Sequence, residues 1–169
     1  MNIWITSDTH FGHDNIRKYC NRPHFFEKKI FDNFIKYIKE GDLLIHLGDV
    51  SFGDHLLMHN EYIKKLKCKK WLIRGNHDRN TYQWYLNYWD FIAESIIFKY
   101  YGKKILFTHK PQEKHDYDIN IYGHLHNNTH ENDLYDKGFL ISIEHLNYRP
   151  ITLKQCIVLF DKGEKYGYF

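Results

Sequence analysis

The sequence predicts an α/β fold built around a parallel sheet, and three observations support this prediction. Short apolar runs typical of buried strands alternate with longer segments in which apolar residues recur every three or four positions. The links between these segments are short, which favours strand–helix–strand units with right-handed crossovers. A chain of 169 residues also buries enough surface for one self-sufficient core, so we expect a single domain over residues 1–169.

The first half of the chain is expected to hold three strands separated by two helices. The predicted strands are the run Ile3-Trp4-Ile5, residues 42–47 and residues 70–74. Apolar residues at helical spacing predict one amphipathic helix over residues 26–38, which ends near Gly41, and a second over residues 56–66. This order is typical of parallel strands joined by crossover helices.

The middle of the chain is richer in β-forming residues. Residues 94–101 and 103–108 flank Gly102 and predict a hairpin whose second strand ends at His109. Residues 118–122 predict one further strand. The sequence therefore places β-structure after the first three strand–helix units.

The remaining elements are shorter. Residues 139–145 predict a final strand. Thr152 and Gln155 have the spacing of a capping box, which predicts a short last helix that Gly163 terminates. The aromatic segment 82–89 fits either a base-stacking platform or a helix packed on the sheet, and the helical spacing of its apolar residues favours the helix.

Composition excludes several classes of protein. The 24 Lys and Arg and 21 Asp and Glu give a net charge of only +3. The chain has no block of five or six like charges of the kind that forms a nucleic-acid-binding tail. No apolar run approaches the roughly 18 to 20 residues that a membrane span needs, so no membrane partner is expected. The N-terminus lacks the basic start of a secretory signal, which favours a cytoplasmic location. Cys20, Cys68 and Cys156 are expected to be reduced thiols without a metal role.

Side chains able to bind metals follow the predicted strands at their carboxyl ends. They are Asp8, His10, Asp49, Asn76, His77, His109, His124 and His126. Because such strand ends face one crevice in an open α/β sheet, residues far apart in sequence can converge there. Imidazole, carboxylate and amide ligands without a thiolate suit Mn, Fe, Ni or Zn. Without His77 the set still holds seven ligands, too many for one tetrahedral ion, so two divalent ions sharing a carboxylate are expected.

These motifs resemble those of the calcineurin-like metallophosphoesterases. The resemblance rests on five ordered motifs: Asp8-x-His10, Gly48-Asp49, Gly75-Asn76-His77-Asp78, His109 and Gly123-His124-x-His126. Residues 7–13 and 147–151 also resemble small phage and bacterial members of that superfamily. In place of one parallel sheet, the resemblance implies a four-layer α/β/β/α sandwich, with two mixed β-sheets flanked by helices.

The resemblance also implies a role for each motif residue. It assigns Asp8, His10 and His126 to a first metal ion and Asn76, His109 and His124 to a second, with Asp49 as the bridge. Mn is the favoured ion. His77 is implied as the catalytic residue that protonates the leaving oxygen or stabilises the transition state.

The second motif departs from the pattern of many relatives. They extend it to Gly-Asp-x-x-Asp, whereas here Gly48-Asp49-Val50-Ser51-Phe52-Gly53 has no second carboxylate. This leaves the metal ligands intact, but substrate contacts cannot be carried over from those relatives.

The substrate contacts are therefore predicted from position in the sequence. Candidate substrate-binding residues are His13, Asn15 and Arg79, with Arg22 and Arg149 as further candidates for a phosphate group. Asp78 is a candidate to orient a ligand imidazole. The glycines of the motifs are expected to serve tight turns rather than to cradle phosphate.

The resemblance implies a dinuclear metal-dependent phosphoesterase, which hydrolyses a phosphodiester or nucleotide-type substrate by attack of a metal-bridging hydroxide. A phosphomonoesterase or a nuclease with the same site is the alternative, although the modest charge disfavours a nucleic-acid partner. A non-catalytic metal-binding scaffold on the same fold is the alternative from another class. The expected partner is a small phosphate ester or nucleotide, and the oligomeric state is left open.

Overall fold

Two mixed β-sheets pack face to face in the computed structural model, which describes residues 1–113, 116–128 and 137–167. The strands of the first sheet are β1 (Ile3–Thr6), β2 (Leu43–His46), β3 (Lys69–Ile73), β4 (Phe91–Ala93) and β9 (Ile151–Thr152). Their order is β4-β3-β2-β1-β9, in which β1 to β4 run parallel and β9 pairs antiparallel with β1.

The second sheet contains β5 (Ser95–Tyr100), β6 (Lys103–Thr108), β7 (Ile119–Tyr122) and β8 (Gly138–Leu140), in that order. Strands β5 and β6 form the predicted hairpin around Gly102, while β6, β7 and β8 run parallel. The predicted fold class, two mixed sheets with flanking helices, is confirmed.

The helices are α1 (Ile16–Tyr19), α2 (Phe26–Tyr37), α3 (His55–Met58), α4 (Tyr82–Tyr85) and α5 (Leu153–Asp161), and a π-helical turn His59–Ile63 continues α3. The predicted capping box of α5 is confirmed, because the Gln155 amide donates to the Thr152 hydroxyl at 3.2 Å and the Gln155 side chain accepts from the Thr152 amide at 3.0 Å. Among the residues described, no helix has the length and apolarity needed to cross a membrane.

Alternating side chains of the first sheet form two hydrophobic cores. Leu43 and Ile45 of β2 pack toward the second sheet, together with buried residues of α5, whereas Leu44 packs with α2 on the opposite face. Each fully buried aliphatic side chain contributes about 1.5–3 kcal/mol through the removal of apolar surface from water. This double burial explains why the strand between Asp42 and Gly48 is apolar at every position from Leu43 to Ile45.

The structure differs from the predicted elements in three places. The strand predicted over 139–145 ends at Leu140, and the chain then turns through residues 143–148. The helix predicted over 82–89 is a single helical turn followed by turns, in which Tyr85 and Trp89 are buried but Leu86 is exposed. Helix α1 and strands β4 and β9 are too short to give a periodic signal, so the sequence did not predict them.

Candidate metal centre

The carboxyl ends of strands from both sheets meet at one edge of the molecule. Asp8 follows β1, Asp49 follows β2 and His109 follows β6. The amide of Asp8 donates to the Gly48 carbonyl at 3.0 Å within the first sheet. The amide of His124 donates to Asp8 Oδ2 at 2.8 Å, which joins the second sheet to the first.

One cluster of candidate ligands comprises Asp8, His10 and His126. Asp8 Oδ1 lies 3.8 Å from His10 Nε2 and 3.7 Å from His126 Nε2. Within the described part of the chain, Asp8 Oδ1 and His10 Nε2 are buried without a hydrogen-bond partner. Because unpaired buried polar atoms are costly, these two atoms indicate a site for a cation.

A second cluster surrounds the imidazole of His109. Its Nε2 atom lies 3.0 Å from Asn76 Oδ1, 3.2 Å from His124 Nδ1 and 3.4 Å from Asp49 Oδ2. Ligand atoms of Asp49, His109 and His124 all lie within 4.8 Å of one another, close enough to hold one metal ion.

Asp49 lies between the two clusters. Its Oδ2 atom is 3.4 Å from His109 Nε2 and 3.6 Å from His10 Nε2, so one carboxylate oxygen faces both groups. Its Oδ1 atom accepts a hydrogen bond from the backbone amide of His77 at 2.8 Å. The seven candidate ligands are therefore brought together, with Asp49 at the centre.

The donor set fits divalent metal ions. Ligands that each lie about 2 Å from one ion are separated by roughly 3 to 3.5 Å, close to the spacings within both clusters. The donors are imidazole nitrogens, carboxylate oxygens and an amide oxygen, which suit the borderline metals.

Several ligands occupy the left-handed backbone region. These residues are Asp8 (φ 54), His10 (φ 49), Asp49 (φ 56), His124 (φ 72) and His126 (φ 52). Each such conformation costs about 1–3 kcal/mol for a residue other than glycine. The surrounding strands must supply this energy, which is typical of backbone held for a functional purpose.

The motif glycines allow the strand ends to approach one another. A Cβ atom on Gly123 would lie 1.8 Å from Ser7 Oγ, and one on Gly75 would lie 2.1 Å from Asp49 Oδ1. Gly48 has a φ of +94°, which matches the predicted tight turn. At Gly75 and Gly123 the requirement is instead the close approach of a candidate ligand.

Hydrogen bonds fix which imidazole nitrogens face the clusters. His109 Nδ1 donates to the Leu47 carbonyl at 2.7 Å, which directs Nε2 at Asn76 and Asp49. Burial lowers the pKa of His109, but the hydrogen bond and charge of Asp49, with the charge of Asp8, outweigh it and raise this pKa to about 9. The pocket therefore favours positive charge at this position.

Burial and neighbouring charges also shift the pKa values of His10 and of the buried carboxylates. Burial lowers the pKa of His10 to about 2, so this imidazole stays neutral and keeps a lone pair for a ligand bond. Burial opposes ionisation of Asp49, but the hydrogen bond and charge of His109 hold its pKa well below the usual range. Burial raises the pKa of Asp8 above its usual value.

Sequence reasoning missed the carboxylate that orients His126. His126 Nδ1 lies 3.2 Å from Glu144 Oε1, which also accepts from Arg22 Nε at 2.9 Å and Nη2 at 2.7 Å. The fully buried Arg22 guanidinium donates further bonds to the carbonyls of Asp8 and Thr9. Burial raises the pKa of Glu144, but the bonds to His126 and Arg22 outweigh it and hold the pKa well below its usual value. Arg22 is therefore a structural residue, and its prediction as a phosphate ligand is wrong.

Asp78 has a different role from the one predicted. Its Oδ2 atom accepts from the amides of Asp49 and Gly75, both at 2.8 Å, and its Oδ1 atom accepts from the Val50 amide at 3.1 Å. It thus positions the loop that carries Asp49, and the prediction that it orients an imidazole is wrong. Burial raises the pKa of Asp78 to about 6.

The predicted catalytic and substrate-binding residues lie at different distances from the clusters. His77 Nε2 is 3.9 Å from Asp49 Oδ2, and its side chain is partly exposed. The ring of His13 lies 5.3 Å from that of His10. Arg79 is exposed, with its Nε atom 3.4 Å from the Asn76 carbonyl. Asn15 is exposed at the start of α1 and makes no side-chain cap bond there.

Other predicted residues lie outside the clusters. Arg149 interacts with the Tyr37 hydroxyl beside α2. All three cysteines are free and buried, and Cys20 lies near His126 and Glu144. Of the histidines without a predicted role, His46 is buried and bonds the Gly48 amide at 3.1 Å, while His115 and His130 lie outside the described residues.

A groove of about 590 Å³ opens beside the second cluster. Asn76 and His109 line it, and Ile97 and Leu106 of the second sheet contribute apolar surface. Arg74 and Lys110 also line it. The groove therefore offers space next to the candidate metal ligands.

Comparison with known proteins places the chain in a family. The family model described as the calcineurin-like phosphoesterase superfamily domain matches residues 1–141, which include all seven candidate ligands. The chain belongs to this superfamily.

Two relatives are similar over nearly the whole chain. The uncharacterized protein MJ1445 of Methanocaldococcus jannaschii is 30% identical over 176 aligned residues, which cover 96% of this chain and 93% of that protein. The crystal structure of AQ665, a protein of unknown function from Aquifex aeolicus, superposes with a TM-score of 0.80 at 29% identity, covering 94% of this chain and 98% of that one. A solved archaeal phosphodiesterase gives a TM-score of 0.48 at 25% identity, with 84% and 82% of the two chains covered.

Proposed function

We propose that the protein is a dinuclear metal-dependent phosphoesterase acting on small phosphodiesters. One observation carries this proposal: Asp49 Oδ2 faces both ligand clusters, at 3.6 Å from His10 Nε2 and 3.4 Å from His109 Nε2. A carboxylate that faces two nitrogen-rich clusters is suited to two adjacent divalent ions. Membership of the calcineurin-like phosphoesterase superfamily supports the same activity.

In this proposal Asp8, His10 and His126 would hold one ion and Asn76, His109 and His124 would hold the other, with the Asp49 carboxylate available to both. When bound, such ions activate water as a nucleophile and neutralise charge on the phosphoryl oxygens. Because these side chains are fixed by strand ends and backbone hydrogen bonds, little rearrangement is needed when substrate arrives.

His77 is the proposed general acid. Its backbone amide is held by Asp49 Oδ1 at 2.8 Å, while its imidazole lies at the solvent side of the clusters. From that position Nε2 can donate a proton to the oxygen of the departing group. The neighbouring Arg79 is exposed and is proposed to contact a phosphate oxygen.

The shape of the site supports a diester over a monoester. The groove is lined by Asn76 and His109, and separately from it the partly exposed ring of Phe52 lies beside His77, whose ring is 5.5 Å from that of His10. A phosphodiester has two ester groups, so one group can extend to each side of the reacting phosphorus.

The experiment that tests this proposal compares two model esters. Purified protein with added Mn²⁺ is assayed against bis-p-nitrophenyl phosphate and p-nitrophenyl phosphate, with and without a chelator. We expect faster hydrolysis of the diester, which the chelator abolishes. Asp49→Asn is expected to lose activity, whereas Asp32→Asn, at an exposed position of α2, is the matched control and should retain it.

Other outcomes would redirect the assignment. Faster hydrolysis of the monoester would identify a phosphomonoesterase. If the protein binds Mn²⁺, Zn²⁺, Ni²⁺ or Fe²⁺ but hydrolyses neither ester with any of them, the proposal is contradicted and a metal-binding scaffold is favoured.

A further inference from the structure

Three aromatic rings line one side of the candidate metal centre, and we call Tyr19, His13 and Phe52 the aromatic wall. The rings of His13 and Phe52 are stacked, with centroids 4.2 Å apart and planes at 17°. Tyr19 meets His13 edge-on at 6.4 Å, and its side chain is 74% exposed. The wall therefore runs from solvent toward the clusters.

The inner end of the wall touches the proposed catalytic machinery. The His13 ring lies 5.3 Å from that of the candidate ligand His10, and Phe52 lies edge-on to His77 at 5.3 Å. His10 and His77 are themselves 5.5 Å apart. A group lying on Phe52 would thus be adjacent to a phosphate held at the clusters.

Backbone pairing holds Phe52 in place. Its amide donates to the Phe11 carbonyl at 2.8 Å, and Phe11 forms a β-bridge with Ser51. A Cβ atom on Gly12 would lie only 2.7 Å from the Phe52 carbonyl, so the two loops are closely packed. The wall is consequently formed before any ligand arrives, which lowers the entropy cost of binding.

Phe52 remains 39% exposed although His13 covers one of its faces. An exposed aromatic ring beside a polar, charged centre is suited to a ligand that is charged at one end and planar and apolar at the other. Phe52 is also the position at which the second motif departs from the Gly-Asp-x-x-Asp pattern.

We infer that the aromatic wall binds a planar ring of the substrate by stacking on Phe52, so that the preferred esters carry a nucleobase or another aryl group. This inference rests on the proposed function, since it concerns the ester group attached to the phosphate at the clusters. Stacking of a base on an aromatic side chain changes affinity by roughly five- to 150-fold.

To test the inference, isothermal titration calorimetry in the presence of Mn²⁺ measures the binding of four probes, which are either phosphonates without an ester bond or resemble reaction products. Phenylphosphonate is compared with methylphosphonate, and adenosine 5′-monophosphate is compared with ribose 5-phosphate. We expect the wild-type protein to bind phenylphosphonate at least fivefold more tightly than methylphosphonate. A similar gain in the second pair assigns a nucleobase, while a gain in the first pair alone assigns a different aryl group.

The variants Phe52→Leu and Phe52→Tyr isolate the stacking contact. Phe52→Leu should reduce the phenyl-to-methyl ratio to below about twofold, and Phe52→Tyr should restore it. Phe91→Leu is the matched control, because Phe91 is 37% exposed on the distant strand β4 and its loss should leave the ratio unchanged.

Equal binding of the two phosphonates, no binding of either, or a ratio unaffected by Phe52→Leu would each overturn the inference. Calorimetry does not require turnover, so absence of hydrolysis would refute the proposed function without deciding this test.

Discussion

His126 donates its Nδ1 proton to the carboxylate of Glu144, 3.2 Å away, which leaves His126 Nε2 directed at Asp8. The same carboxylate binds the buried Arg22 guanidinium, which in turn holds the backbone carbonyls of Asp8 and Thr9. One carboxylate therefore aligns candidate ligands that are more than one hundred residues apart along the chain. Such partners of metal-binding imidazoles commonly have a large effect on metal affinity.

Glu144→Gln should weaken metal binding at the first cluster by about 10–100-fold, because a neutral amide no longer orients and polarises His126. Titration with Mn²⁺, followed by metal analysis of the dialysed protein, measures the effect. Glu61→Gln is the matched control, since Glu61 is an exposed residue paired with Lys65. Equal metal affinity in the two variants would show that Glu144 does not position His126.

His77→Ala should retain both metal ions but lose about 10²–10⁴-fold in turnover, because it removes only the proposed proton donor. The loss should be larger for alkyl esters than for p-nitrophenyl esters, whose leaving group needs no protonation. Steady-state kinetics on both ester types measures the difference, and His24→Ala, at an exposed position, serves as the control. An equal loss on both ester types would argue against the proposed proton transfer.

Gly123→Ala should disrupt the first cluster through a steric clash. The new methyl group would lie 1.8 Å from Ser7 Oγ and 2.4 Å from Asp8 Oδ2, which must move apart. We expect a loss of about 1–3 kcal/mol in the free energy of unfolding together with reduced metal binding. Gly102→Ala in the β5–β6 turn is the control. Its new methyl group would meet no atom, but the φ of +76° strains an alanine, so this variant should lose stability without losing metal binding. Unchanged metal binding in Gly123→Ala would contradict the close approach of these strand ends.

Asp42→Asn should reduce stability in a pH-dependent manner. The buried Asp42 carboxylate accepts from the Asn2 amide at 2.7 Å, Trp4 Nε1 at 2.9 Å and the Lys39 amide at 3.1 Å. Burial opposes its ionisation, but these hydrogen bonds outweigh burial and lower its pKa from 3.8. The stabilisation is therefore complete above the unfolded-state pKa and is lost as pH falls through the lower folded-state pKa.

Near pH 7 the variant should lose about 1–3 kcal/mol in the free energy of unfolding, and the difference should shrink as the pH falls below 3.8. Denaturant unfolding at pH 7, 5 and 3 measures it. A difference that is constant over this range would contradict the depressed pKa.

The residues whose role depends on a strand end could be located from the sequence. Apolar runs fix where β1, β2 and β3 end, and the residues after them, such as Asp8 and Asp49, must then share one edge of a parallel sheet. Family resemblance was needed for the second sheet, because the hairpin and β7 give no signal about which sheet they join. The structure also shows that β8 ends at Leu140, so that the following turn brings Glu144 to the centre.

Other features of the fold and the site depend on contacts between residues that are far apart in the chain, and these contacts leave no local pattern in the sequence. Arg22 and Glu144 are 122 positions apart. Arg22 lies in no periodic segment, and Glu144 lies in the segment 139–145, which was predicted as a strand although the strand ends at Leu140. The same applies to Asp78, which was assigned an imidazole partner because it adjoins His77, although its oxygens bind backbone amides of the Asp49 loop. Strand β9 is only two residues long and exists because it pairs with β1.

Anomalous diffraction from crystals of the protein grown with Mn²⁺ tests the central claim most directly. Two strong peaks are expected, one among Asp8, His10 and His126 and the other among Asn76, His109 and His124, with Asp49 in contact with both. A single peak, or peaks remote from Asp49, would contradict the assignment of a dinuclear centre.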